Sequence, residues 1–203
     1  MAVLAIGTAR AETDPTEAAR AYFTSAAHLA LANEGIARAR DMVMPECKEA
    51  TAGQGGVHMF QPLVFGPDGT PRGGAWKIWA PVTGCGMTVV LNLFVSVRGD
   101  GRVLPTIALP GETHADPQLQ IDAMRLVRTT TAGQVTGCAN AAVVPLNTRF
   151  ETFDPVIPGA SRRPWHETWT MRACDRKLDV PVAFVPRGNQ TDIAIDVAKI
   201  VVR

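Results

Sequence analysis

The chain has 203 residues, of which 46% are hydrophobic and 19% charged, and its formal net charge is +1. This length and composition suit one globular domain with a real core and exclude a disordered chain. The basic residues are scattered, with no cluster longer than a pair such as Arg162 and Arg163, so nothing predicts nucleic-acid binding; no run of about 18 apolar residues predicts a membrane span.

In chain order, the short apolar run "AVLAIG" is followed by "TARAETD", where Ala9, Arg10 and Ala11 place small residues at the positions a signal peptidase reads. No basic segment precedes it and the run is short. Residues 1–11 are therefore expected to be a truncated signal-peptide remnant and residues 12–203 a single α+β domain. "TDPTEAARAYF" announces a helix, with Asp14 as N-cap, Pro15 in the first turn and Glu17 at the capping-box position. It is expected to run as one long helix to about Val43, with Ala18, Tyr22, Ala26 and Leu29 on its apolar stripe and Gly35 as its weak point.

Strands should follow. "MFQPLVF", "AWKIWAPV", and the hairpin "MTVVLNLFVSV"–"RGDG"–"RVLPTIAL" all carry β patterning separated by turn residues. "ADPQLQIDAMRLVRTT" repeats the Asp-Pro device, with Asp116 as cap and Leu119, Ala123, Leu126 and Val127 expected on one face. "AAVVPLNTRF", then "HETWTMRA" against "LDVPVAFVP", and a last strand in "TDIAIDVAKIVV" complete the chain. No internal repeat is apparent. The expected fold class is α+β: an antiparallel sheet with a long N-terminal helix and a second helix packed on one face.

Cys47, Cys85, Cys138 and Cys174 are an even number, widely spaced, without a CxxC pair. That pattern points to two structural disulfides in an oxidising compartment, periplasmic or secreted, and away from zinc or thiol redox chemistry. Of the three pairings available, Cys85–Cys138 with Cys47–Cys174 is favoured.

Candidate chemistry is sparse. In "RPWHETWTMRAC", alternation puts Trp165, Glu167 and Trp169 on one strand face and His166, Thr168 and Thr170 on the other, so His166 and Glu167 do not converge. "HETWT" lacks the second histidine of a zincin helix. Trp165 and Trp169 read as anchors of the sheet, with a ligand or partner contact as the alternative. His114, Asp116 and Asp122 cluster at a helix start, but Asp116 is already used as a cap. Ser25, Ser96 and Ser161 are the only serines, and none sits in a nucleophile elbow. Gly53–Gly56 lacks the context of a phosphate loop, and Arg98-Gly99-Asp100 reads as a hairpin turn. No enzyme chemistry, cofactor or metal is assigned.

The stretch "VVLNLFVSVRGDGRVLPTIALPGETHADPQLQIDAMRLV", a hairpin with a tight turn leading to a loop and a helix, resembles the C-terminal domains of the TonB/TolA type, and "CDRKLDVPVAF" resembles their closing strand. Departures are the missing anchor and spacer, the four cysteines and the long first helix. The spacing of "GCG", "ADPQLQ" and "PWHETWTMRAC" is also similar to exported bacterial proteins of unassigned function. The resemblance implies a non-catalytic envelope-associated module that contacts an unidentified envelope protein through a sheet edge. A carrier of a small apolar, lipid-like ligand between helix and sheet is the alternative.

Overall fold

Asp14 accepts a hydrogen bond from the Thr16 amide at 2.8 Å and opens helix α1 (Pro15–Phe23). In the computed structural model, which describes residues 14–135, 143–160 and 162–203, the helix expected to reach Val43 unbroken is two helices. Ser25 takes an extended conformation and its hydroxyl accepts from the His28 amide at 3.2 Å, so it caps a new helix, α2 (Ala26–Val43). Gly35 is no break. It lies inside α2, where a Cβ would stand 2.4 Å from Leu93 Cδ1, so its bare backbone lets the helix sit close on the sheet. The signal remnant expected over residues 1–11, together with Cys138 and Ser161, lies outside the described residues.

Two antiparallel sheets replace the single one expected. The first holds β1 (Thr51–Ala52), β2 (Gly56–Phe65), β3 (Pro71–Gly84), β4 (Met87–Val97) and β5 (Val103–Ile107), with β1 and β2 both paired to β3. Helix α3 (Pro117–Thr131) follows, capped by Asp116 through the Leu119 amide at 2.9 Å. The second sheet holds β6 (Val144–Phe153), β7 (Trp165–Ala173), β8 (Arg176–Arg187), β9 (Gln190–Ile195) and β10 (Val201–Val202), with β9 and β10 both paired to β8. The last strand is thus split by a 3-10 turn at Val197–Lys199, which Asp196 caps. The protein is mixed α/β.

Each half is a helix followed by a four-stranded meander, and the two halves are a repeat that the sequence did not announce. Residues of the second half lie 89 positions after their counterparts: Trp76 and Trp165, Cys85 and Cys174, Arg98 and Arg187. The strand register matches too. Trp76 faces Val95 and Gly84 faces Met87 in the first sheet; Trp165 faces Phe184 and Ala173 faces Arg176 in the second. Cys85 and Cys174 each begin the two-residue hairpin turn in the left-handed region, with φ of 48° and 54°, which is uncommon outside glycine.

Two cores follow from two modules. Ile36, Ala39 and Val43 of α2 pack on Trp76, Val82, Leu91 and Leu93, and Ala123, Met124 and Val127 of α3 pack on Trp165, Trp169, Leu178 and Phe184. The buried stripe of α3 is Gln120, Ala123, Met124, Val127 and Thr131, shifted from the expected one, with Leu119 and Leu126 only half-buried.

The connection between modules is hydrogen-bonded on both sides. Ala108 donates to Asn92 O and Gly111 to Val90 O on β4, while Glu112 donates to Thr148 O and Thr148 to Pro110 O on β6. The buried Asn92 amide donates to the Leu109 and Gly111 carbonyls, both at 2.9 Å. Gly111 is required: its φ is 89°, and a Cβ there would lie 2.1 Å from Thr148 O. The cores also exchange residues, for Leu109 belongs to the second and Leu146 of β6 to the first.

His28 is enclosed in the first core by Tyr22, Phe23 and Trp76. Its Nδ1 donates to the Phe23 carbonyl at 3.0 Å, which leaves Nε2 a bare acceptor, unpartnered among the described residues, as is the Trp76 indole N–H. Desolvation pushes the imidazole below its ordinary value, and the bond to Phe23 offsets only part of this. The unfolded chain therefore binds a proton that the native chain refuses. The associated stability is fully present above about pH 6.5 and is lost as pH falls toward the depressed native value. Denaturant unfolding at about pH 7.5 and about pH 5 should show a drop in stability that shrinks in His28→Phe.

Candidate binding cleft

Helix α2 covers the face of the first sheet that carries Trp76, Ile78, Leu91, Leu93 and Val95. Strand alternation sends Lys77 and Trp79 of β3, Val90, Asn92 and Phe94 of β4, and Leu104 and Thr106 of β5 to the other face. Their counterparts in the second sheet are smaller or polar: Trp79 corresponds to Thr168, Val90 to Asp179 and Phe94 to Ala183. One module thus carries large apolar groups where the other carries groups suited to water. The Phe60 ring of β2 lies against Phe94, centroids 5.8 Å apart.

Facing the end of this surface that carries Phe94 and Thr106 is the side of α3 turned away from the second core. Ile121, Arg125 and Arg128, at spacings of four and three, form one exposed stripe. Between the two runs a cleft of about 530 Å³. Phe60, Ala75, Phe94, Thr106 and Ile107 line its sheet side, Pro117, Ile121, Met124, Arg125 and Arg128 its helix side, and Met42 and Pro145 complete the wall. Gln120 fixes the deep side, its Oε1 accepting from the Leu109 amide at 3.1 Å and its Nε2 donating to Ala115 O at 2.9 Å.

The lining carries only two charges, both arginines, and no carboxylate or imidazole. Arg125 Nη1 is bonded to Asp122 Oδ1 at 3.0 Å. The Arg128 guanidinium has no hydrogen-bond or ion-pair partner among the described residues. The arrangement can enclose an apolar body and present a cation at its rim.

The sequence-derived candidates lie elsewhere. Trp165 and Trp169 are fully buried, so the ligand- or partner-contact alternative is corrected: neither has a face open to a ligand. They hold a carboxylate instead. Glu167, 1% exposed, accepts from Thr113 Oγ1 at 3.0 Å, the His114 amide at 2.8 Å and Trp165 Nε1 at 2.8 Å on Oε1, and from Trp169 Nε1 at 2.8 Å on Oε2. This ties the lead-in of α3 to the second sheet. His166 points to the opposite face and pairs with Asp154 at 2.8 Å. The cluster at the start of α3 does not converge either: Asp116 caps, Asp122 bonds Arg125, and the His114 ring lies on Phe150 and Phe153. Ser25 is a cap.

Cys47 and Cys85 form a disulfide, which overturns both favoured bridges, since each required one of these residues. It ties the exit of α2 to the β3–β4 turn, two places far apart along the strand pattern but adjacent once α2 lies on the sheet. Cys174 is also disulfide-bonded.

No protein-family model, curated protein or solved structure matches this chain. Phe60, Phe94, Ile121, Arg125 and Arg128 were not singled out from sequence. The Ile121–Arg125–Arg128 stripe was readable as the polar side of a helix, but nothing local says that the first sheet faces it.

Proposed function

We propose that the protein is a binding module that holds the apolar body of a small molecule between the first sheet and α3. The observation that carries this is the cleft itself: about 530 Å³, walled by phenylalanine, isoleucine and methionine, within the range of roughly 300–1,000 Å³ usual for small-molecule sites and set between two modules. Export to the periplasm or beyond suits the Cys47–Cys85 bridge, because such bonds persist in oxidising compartments.

The test is a fluorescence titration with N-phenyl-1-naphthylamine, an uncharged apolar dye. Saturable enhancement is expected, with affinity lowered about tenfold in Ile121→Lys, which sets a charge in the cleft wall at an already exposed position. Dye binding that never saturates, or that ignores this substitution, would sink the reading.

A second reading, contact with an envelope protein through a sheet edge as in the TonB/TolA-type domains, draws on β2. Its ten residues carry no formal charge, it pairs only with β3 among the described residues, and it exposes Val57, Met59 and Val64. Pro62 and the register shifts after Met59 guard its second half, so it is the Gly56–Met59 half that could take an added strand. The two readings separate cleanly, since Val57→Lys on the edge should leave dye binding unchanged.

A further inference from the structure

We infer that the ligand of the cleft is an amphipathic anion, an apolar chain with one negatively charged head, and that Arg128 is the residue that selects it. This rests on the cleft being a binding site. The wall holds two guanidinium groups three residues apart on one helix stripe and no acid. Asp122 compensates Arg125, which leaves Arg128 as the charge of the cleft wall without a counter-charge among the described residues. An arginine on such a rim lays its methylene stem along the apolar wall and keeps its head at the water boundary. There the planar fork matches a carboxylate or phosphate oxygen pair, and the partly apolar surroundings strengthen the bond relative to open water. A neutral ligand would leave that cation unmatched, and a cationic one would be repelled. The other charged groups near the stripe, Arg125 and Asp122, form an ion pair and largely cancel.

The experiment is displacement of N-phenyl-1-naphthylamine by dodecanoate, dodecanol and dodecyltrimethylammonium, each below its micelle-forming concentration. Dodecanoate should bind roughly five- to tenfold more tightly than dodecanol, and the difference should fade at high salt. In Arg128→Gln, dodecanoate should fall to the level of dodecanol, with dodecanol unchanged, which also shows that the cleft is intact. In Arg128→Glu the order should reverse in favour of the cation. Equal affinities for dodecanoate and dodecanol, or a preference that survives Arg128→Gln, overturn the inference while the apolar cleft stands. Failure of all three to displace the dye overturns the cleft reading beneath it. Sedimentation with phosphatidylglycerol vesicles separates a free amphiphile from a bilayer surface: no co-sedimentation is expected, and adsorption that persists in both Arg128→Gln and Ile121→Lys would assign the anion preference to the general surface.

Discussion

Glu167→Ala is expected to cost about 4–6 kcal/mol, because it strips the acceptor from four donors in a site from which water is excluded. The two indole N–H groups would stand unpaired in the second core beside Phe184, the Thr113 hydroxyl would keep only the bond it accepts from the Ala115 amide, and the His114 amide would lose the bond that seats the start of α3. Glu167→Gln separates charge from geometry. Its amide oxygen can keep the three bonds made by Oε1, but its NH₂ then faces the Trp169 N–H, donor against donor. A smaller loss of about 2–3 kcal/mol is expected. Urea unfolding followed by tryptophan fluorescence measures both. Equal stability of wild type and Glu167→Ala would refute the account. The first module offers the contrast: Ile78 stands at the corresponding position, so the Trp76 indole N–H has no acceptor there.

Opening the Cys47–Cys85 bridge is the other large effect. The bonded residues are 38 apart, and the chain-entropy estimate for a loop of that size is about 4 kcal/mol. Cys47→Ala combined with Cys85→Ala should therefore destabilise the first module by about that amount. Loss of the bridge frees the segment from Met44 to Ala50, part of the first core, from the β3–β4 turn. The urea midpoint should fall without a change in the dye's affinity for the folded protein, since neither cysteine lines the cleft. A midpoint within error of wild type would mean that the native state carries strain equal to the entropy removed.

Features fixed by near neighbours were legible in the sequence. Asp14 and Asp116 cap helices because an Asp-Pro pair has few other uses before an apolar stripe, and the alternation of "WHETWTMRA" placed Glu167 between Trp165 and Trp169 on the inner face. Features fixed across the chain were not. Ser25 ends one helix and starts another without glycine or proline, while Gly35, the conspicuous suspect, is filled by Leu93 from a strand nearly 60 positions away. The repeat escaped notice because what the halves share is burial pattern more than residue identity. Phe94 and Ala183 occupy one place in the fold and differ in that Phe94 lines the cleft opposite α3. The cleft was hidden for the same reason: its two walls are each ordinary as local patterns.

The exchange of Leu109 and Leu146 between cores leaves neither module complete without the other. Hairpins join β2 through β5 by short turns, so the first module pairs its strands locally and holds both cysteines of its own bridge. Yet its core stays one leucine short until β6 arrives with Leu146, and docking of β6 requires the connection through Gly111 to be in place. The amino-terminal module is thus closed by its successor: the core that Leu91 and Leu93 share with α2 includes a leucine that only β6 supplies.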